Sequence, residues 1–266
     1  MRGPGARQLG LPLPPEPMPM LRSGRPLKRW RYVGVFSSEL MVCVGDARVG
    51  PLAQRWWAVA LPNGSLRERT TARRGGVSVD ARHASVDAPG VNVDLELGDG
   101  AEIEIVSPAG DSYIWTRKRA GVAARGSVTI DGERHAVDAE GMVDESAGYH
   151  DRHTSWRWSA GVGRGPGGEG VAWNLVSGIH DAAEASERTV WVDGEPREVG
   201  PVEFADDLSA LGDLRFDEWC AREEHTNRLL FRSDYRQPFG TFSGELPGGL
   251  EVAEGYGVME EHDVLW

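Results

Sequence analysis

Cysteine, lysine and long apolar runs are scarce in this chain of 266 residues. Its two cysteines, Cys43 and Cys220, lie far apart and neither has a CxxC partner, which excludes a disulfide framework and a zinc knuckle and fits a reducing compartment. Apolar runs extend over only a few residues, too short for a helix that crosses a bilayer, so no integral membrane segment is expected. The opening MRGPGARQLGLPLPPEPMPM carries charge and then breaks into prolines before an apolar segment of useful length; no secretory signal is read, and the chain is assigned to the cytoplasm. Lysine occurs only at Lys28 and Lys118, so arginine makes up the rest of the 29 basic residues. A formal charge of −12 opposes binding to a phosphate backbone, and nucleic acid is not an expected partner. There is no GxSxG elbow for a serine nucleophile. The glycine-rich GVGRGPGGEG at 161–170 is not followed by Lys-Ser/Thr, so it reads as a loop between strands and not as a phosphate cradle. His150 and His153 fall on opposite faces of a strand, so no zinc spacing arises; neither a metal site nor a cofactor is expected.

What the chain has in abundance is period-2 alternation. Residues 1–26 hold seven of the 16 prolines and read as an extended tail. Residues 1–31 carry a net charge of +6 against −18 on the remainder, so the tail either lies across the acidic body or stays solvated. Beyond residue 30, apolar and polar residues alternate as in half-buried strands. Val91, Val93, Leu95 and Leu97, then Ile103 and Ile105, predict a hairpin turning on Gly98-Asp99-Gly100. VTIDGERHAV at 128–137 and VWVDGEPREV at 190–199 predict two more hairpins on Asp-Gly turns, and their shared pattern arises either from duplication or from turn chemistry alone. Short strands without intervening helical periodicity define an all-β, antiparallel fold of sandwich or barrel type.

Titratable and aromatic residues concentrate in two stretches. In DESAGYHDRHTSWRWSAG at 144–161, alternation puts His150, Arg152, Thr154, Trp156 and Trp158 on one face, the composition of a pocket with apolar walls and a few converging polar groups. The opposing reading makes the tryptophans plain core and pairs Arg152 with a carboxylate such as Glu145. In EVAEGYGVMEEHDVLW at 251–266, alternation groups Val252, Glu254, Tyr256, Val258, Glu260, His262, Val264 and Trp266. Glu260 and His262 then become candidate acid–base groups, since desolvation would raise a carboxyl into general-acid range; a solvated terminal charge run is the alternative. Ten tryptophans outnumber the six phenylalanines and outnumber the five tyrosines, each taken separately, and offer flat apolar walls.

RPLKRWRYVGVF (25–36), GYHDRHTSWRWSAG (148–161), WNLVSG (173–178), SERTVWVDGEPREVGPVEF (186–204) and YGVMEEHDVLW (256–266) together resemble the bacterial family of domains of unknown function 2804 (DUF2804). More remotely, the chain resembles carotenoid 1,2-hydratase, AttH-like and tocopherol-cyclase-like proteins. That resemblance implies two lipocalin-like (calycin-like) β-barrel or half-barrel domains packed together, dividing this chain after the tail into 27–145 and 146–266. It also implies non-redox addition or cyclisation on a hydrophobic small molecule, isoprenoid-, polyketide- or lipid-like, but no catalytic motif transfers residue by residue. Three functions follow. In the first, an enzyme holds its substrate between Trp156 and Trp158, with Tyr256 and Thr154 in the pocket, while Glu260, Glu145 or His262 moves protons. In the second, a carrier or sensor fixes a ligand carboxylate with His150 and Arg152. The third is a carbohydrate-active protein with tryptophan platforms and paired carboxylates.

Overall fold

The computed structural model describes residues 1–72, 75–228 and 231–266. Two large antiparallel sheets account for most of them. A 3₁₀ helix, Gly3–Leu9, and a short ribbon of β1 (Leu21–Arg22) and β2 (Arg25–Pro26) precede the first sheet. That sheet comprises β3 (Lys28–Phe36), β4 (Met41–Val49), β5 (Leu52–Ala60), β6 (Leu66–Thr71), β7 (Val77–Val79), β8 (His83–Ala88), β9 (Val91–Leu97), β10 (Ala101–Ala109), β11 (Ser112–Ile130) and β12 (Glu133–Gly148). Its strand order is β6-β5-β4-β3-β12-β11-β9-β8-β7, with β10 also on β11. The second sheet comprises β13 (His153–Arg164), β14 (Gly170–Ser177), β15 (Thr189–Val192), β16 (Glu195–Glu198), β17 (Ala210–Leu211), β18 (Leu214–Arg228), β19 (Phe231–Leu246) and β20 (Leu250–Leu265). They run in the order β16-β15-β14-β13-β20-β19-β18-β17. The all-β, antiparallel class read from the alternation is the one observed, with open half-barrels and no closed ring among the described residues. No helix among the described residues is long and apolar enough to cross a membrane.

The sheets curl because each has an apolar concave face to bury. Val33, Val35, Val42, Val44, Val93, Leu95 and Val143 fill the inside of the first. Trp173, Leu175, Leu214, Phe216, Phe242 and Met259 fill the inside of the second. A third core lies between them, where Tyr32, Phe36, Met41 and Cys43 of the first sheet meet Trp158, Ala160, Phe239 and Val258 of the second. Strands on both sides of this contact are therefore apolar on both faces, as sandwiched sheets require.

Both Asp-Gly hairpins form as predicted, with Ile130 opposite Glu133 and Val192 opposite Glu195. They occupy different places, one at the centre of the first sheet and the other at an edge of the second. Turn chemistry accounts for the shared pattern. The hairpin predicted at 91–105 does not form, because β9 and β10 run in succession along one edge of β11, opposite Ala124–Ile130 and Ser112–Ala120. The chain bends at Gly98-Asp99-Gly100 without reversing, facing a register shift in β11 between Ala120 and Val122. Gly100 passes so close to β11 that a Cβ would lie 2.6 Å from Val122 Cγ2 and 2.8 Å from Ala120 O. The glycine-rich 161–170 is also only partly a loop: β13 continues to Arg164, and at Gly161 an added Cβ would lie 2.2 Å from the Trp173 ring.

Residues 1–26 are docked, the first of the two arrangements their charge left open. Ala6 and Leu13 are buried with Leu27, Val106, Tyr113, Trp115 and Tyr149. A proline-rich segment has few N–H donors but keeps its carbonyls, and those carbonyls take the anchoring bonds. Tyr113 Oη donates to Pro12 O at 2.7 Å and Tyr149 Oη to Pro19 O at 2.7 Å. Arg7 Nε donates to Glu104 Oε2 at 2.9 Å, and Arg25 pairs with Asp151 at 2.7 Å.

Candidate functional site

Where the sheets diverge, the core between them opens into a cavity of about 820 Å³, within the range of small-molecule sites. Its walls come from β3–β6, β11 and β12 on one side and β13, β14 and β18–β20 on the other, with the loop after β14 closing part of the rim. Trp30, Trp56, Trp156, Trp158 and Trp266 line it together with Tyr32, Phe231 and Tyr235.

Glu260 sits on the second-sheet wall. Cross-strand register puts it opposite Trp158, with His262 opposite both Trp156 and Tyr235. Its carboxyl is buried and oriented by three donors: Trp156 Nε1 to Oε1 at 2.8 Å, Tyr235 Oη to Oε2 at 2.8 Å and Gln237 Nε2 to Oε2 at 2.9 Å. Burial pushes this carboxyl above the usual carboxylate range, and Asp144 adds to the rise against the pull of the Trp156 and Tyr235 bonds. Oε2 takes two donors and Oε1 one, so Oε1 is the oxygen with room for a proton. His262 bonds Ser233 Oγ through Nε2 at 2.8 Å and packs edge-on against Trp156 at 4.5 Å and Tyr235 at 5.0 Å. Burial, with Arg222 nearby, lowers it to about 3, so its imidazole is neutral. The Arg222 guanidinium lies 4.8 Å from the centre of the Tyr235 ring and donates to Thr70 Oγ1 at 2.7 Å.

The first-sheet wall carries a second polar group. Lys118 Nζ lies 2.7 Å from Asp144 Oδ1 and 3.1 Å from Glu187 Oε1, all three side chains being buried. Burial alone would lower the amine; the two carboxylates outweigh it and hold the amine above its ordinary range. Asp144 is pushed up by burial and by Glu187, against the pull of Lys118.

Of the residues singled out from the sequence, Glu260, His262, Arg152, Trp156 and Trp158 line this cavity. The others are placed elsewhere. Glu145 lies on the opposite face of the first sheet, held by Arg31 and Arg117, whose hydrogen bonds and charge bring its carboxyl below the usual range in spite of burial. His150 is buried behind the wall between Trp30 and His180, with ring centres at 5.0 and 5.8 Å. Thr154 Oγ1 donates to Asp151 O at 3.1 Å and accepts from Trp266 Nε1 at 3.3 Å, which anchors the last tryptophan. Tyr256 turns its hydroxyl to Glu254 and its ring toward Trp219. Arg152 is exposed and makes no side-chain ion pair among the described residues, so the pairing with Glu145 does not occur.

Two local features explain these departures. Residues 149–152 are the link between the sheets, and strand alternation starts only at His153. In β20, the four residues from Val252 to Gly255 oppose three from Phe242 to Gly244, and this extra residue turns Val252 into the second sheet's own core while Val258, Glu260 and His262 face the first sheet or the cavity. Sequence reading missed Lys118, Asp144, Glu187, Arg222 and Tyr235. Lys118 had a signal, as one of only two lysines, both of which are buried. Tyr235 also had one, in the alternation of Phe231, Ser233, Tyr235 and Gln237.

This is the architecture of two lipocalin-type half-barrels packed face to face with a cavity between them. An AttH-like protein of Nitrosomonas europaea shares it with a TM-score of 0.52 over 95% of this chain and 98% of that one, at 11% identity. Kievitone hydratase of Nectria haematococca shares it with a TM-score of 0.57 over 87% and 88%, at 12% identity. At such identities the likeness is one of fold. No curated protein matches the sequence. The chain belongs to the family described as domain of unknown function (DUF2804), whose profile matches residues 57–266.

Proposed function

We propose that this protein is a non-redox acid–base enzyme that hydrates, cyclises or isomerises a hydrophobic small molecule in the cavity between its sheets, with Glu260 as proton donor. The observation that carries this reading is a buried carboxyl of raised proton affinity, fixed by three donors on the wall of a tryptophan-lined cavity. A carboxyl whose hold on its proton is strengthened by burial is suited to deliver that proton to a carbon–carbon double bond. In that step the π electrons form a C–H bond to the Glu260 proton, leaving a carbocation next to the Trp156 and Trp158 rings, whose electron-rich faces suit a cation. In hydration, water adds to the cation and its surplus proton returns to the Glu260 carboxylate, which restores the acid. In cyclisation an internal double bond attacks the cation, and the new cation so formed loses a neighbouring proton to the Glu260 carboxylate; in isomerisation the first cation loses a neighbouring proton to that carboxylate directly, so the acid is restored in each case. His262, neutral and bonded to Ser233, positions the Trp156 ring and is not the acid. The hydratase of like fold supports this chemistry by analogy of architecture.

Native mass spectrometry of protein purified from its own host should show an apolar small molecule, which then serves as the assay ligand. Glu260→Gln should bind that ligand with affinity close to wild type, because an amide still makes hydrogen bonds, and lose turnover by about 100-fold or more. Turnover that persists in the variant removes Glu260 as the acid. A ligand released unchanged by the wild-type protein assigns the cavity to a carrier.

A further inference from the structure

The opposite face of the first sheet carries a charge arrangement that the cavity chemistry does not use. Arg117, Glu145, Arg31, Asp46 and Arg55 stand opposite one another in register across β11, β12, β3, β4 and β5. This row alternates in sign, and its contacts are close: Arg117 Nε to Glu145 Oε2 at 2.7 Å, Arg31 Nε to Glu145 Oε1 at 3.0 Å and Arg55 Nε to Asp46 Oδ2 at 2.7 Å. Opposite charges facing each other across strands stabilise a sheet, so folding explains this row.

The next row outward is different. There Arg29 stands directly opposite Arg48, a like-charge pair of the kind that weakens strand pairing. Arg48 reaches back only as far as 3.6 Å from Asp46 Oδ1, a carboxylate already held by Arg55. Arg29 is exposed and makes no ion pair or side-chain hydrogen bond among the described residues. Both side chains line a concavity of about 470 Å³, together with Arg31, Arg55, Asp46 and Glu145, and Trp115 walls it. Four guanidinium groups thus meet two carboxylates in one accessible hollow, on a chain whose overall charge is −12. Guanidinium groups match oxyanions bidentately, and an excess of them over carboxylates in a concave site, with Arg29 free of any partner among the described residues, focuses positive potential on whatever enters.

We propose that this hollow is a second ligand site, separate from the cavity between the sheets, for a small oxyanion bearing two or more negative charges, phosphate or carboxylate in type. Arg29 and Arg48 grip it, and the alternating row beneath holds their strands in register.

Titration calorimetry and thermal unfolding of the full chain, with pyrophosphate and with citrate against sodium chloride of matched ionic strength, test the site and separate the two sources of charge. At least one of the two anions should bind and raise the unfolding temperature above the chloride control. Arg29→Ala/Arg48→Ala should bind that anion about tenfold or more weakly, as expected for loss of charge-assisted hydrogen bonds, and should unfold in low salt no earlier than wild type, since a like-charge pair is gone. Arg29→Gln alone, at a residue with no partner to lose, should weaken binding in the same direction and guards against misfolding of the double variant. Binding of neither anion above the chloride control overturns the proposal, as does equal affinity in wild type and Arg29→Gln. Neither result touches the role of Glu260, which lies across the sheet.

Discussion

Burial without a charged partner is what sets Glu260 apart from Glu145, the other carboxyl predicted as a proton donor. Glu145 faces two guanidinium groups that keep it ionised, whereas Glu260 has only neutral donors within bonding distance. His262 responds to burial in the opposite sense. Its folded value of about 3 lies below the ordinary 6.5, so its contribution to stability is fully present above pH 6.5 and is lost as the pH falls toward 3. Denaturant unfolding of wild type and His262→Gln between pH 7 and 4 should show wild type losing up to about 3 kcal/mol more than the variant over that range. Arg152 makes a contrasting case. Exposed at the cavity mouth, it should tolerate Arg152→Met with stability changed by no more than about 0.5 kcal/mol. A loss of several kcal/mol in urea unfolding would mean that its guanidinium holds a buried partner.

Strands and segments add constraints that no single residue shows. The N-terminal segment, though rich in proline, is a structural element: Leu13 is buried and two tyrosine hydroxyls depend on its carbonyls. Leu13→Ala should cost about 2–4 kcal/mol in denaturant unfolding. Deletion of residues 1–19 should lower the melting temperature by several degrees, where a solvated tail would leave it unchanged. Strand β13 depends on Gly161 for the approach of the Trp173 ring, so Gly161→Ala should destabilise by about 1–3 kcal/mol through displacement of that ring. Near-ultraviolet circular dichroism of the variant would register the displaced indole.

At the scale of the whole molecule, the core between the sheets couples them. Tyr32 and Met41 on one side and Trp158 and Phe239 on the other become exposed together if either sheet unfolds alone. The protein should therefore unfold in a single transition, with tryptophan fluorescence and far-ultraviolet circular dichroism coinciding along a urea titration. Separate midpoints for the two probes would show two independent units. The spectrum itself should be that of a strand protein, given 67% strand and 3% helix.

Composition and period-2 alternation by themselves determined the all-β antiparallel class, the two Asp-Gly hairpins and the inward face of Trp156, Trp158, Glu260 and His262, because strand geometry sends every second residue to the same side. They could not determine which strands pair, since alternation is identical for a hairpin and for a bent strand running along one neighbour, as β9 and β10 do. A single extra residue in β20 reversed the face of Val252, and nothing in the local pattern marks such a bulge. Lys118, Asp144 and Glu187 come together, and Arg29 meets Arg48, only through the register of strands distant in sequence. The overall charge of −12 hid that cationic hollow for the same reason: net charge is a sum over the chain, and a binding site depends on which charges the tertiary structure places side by side.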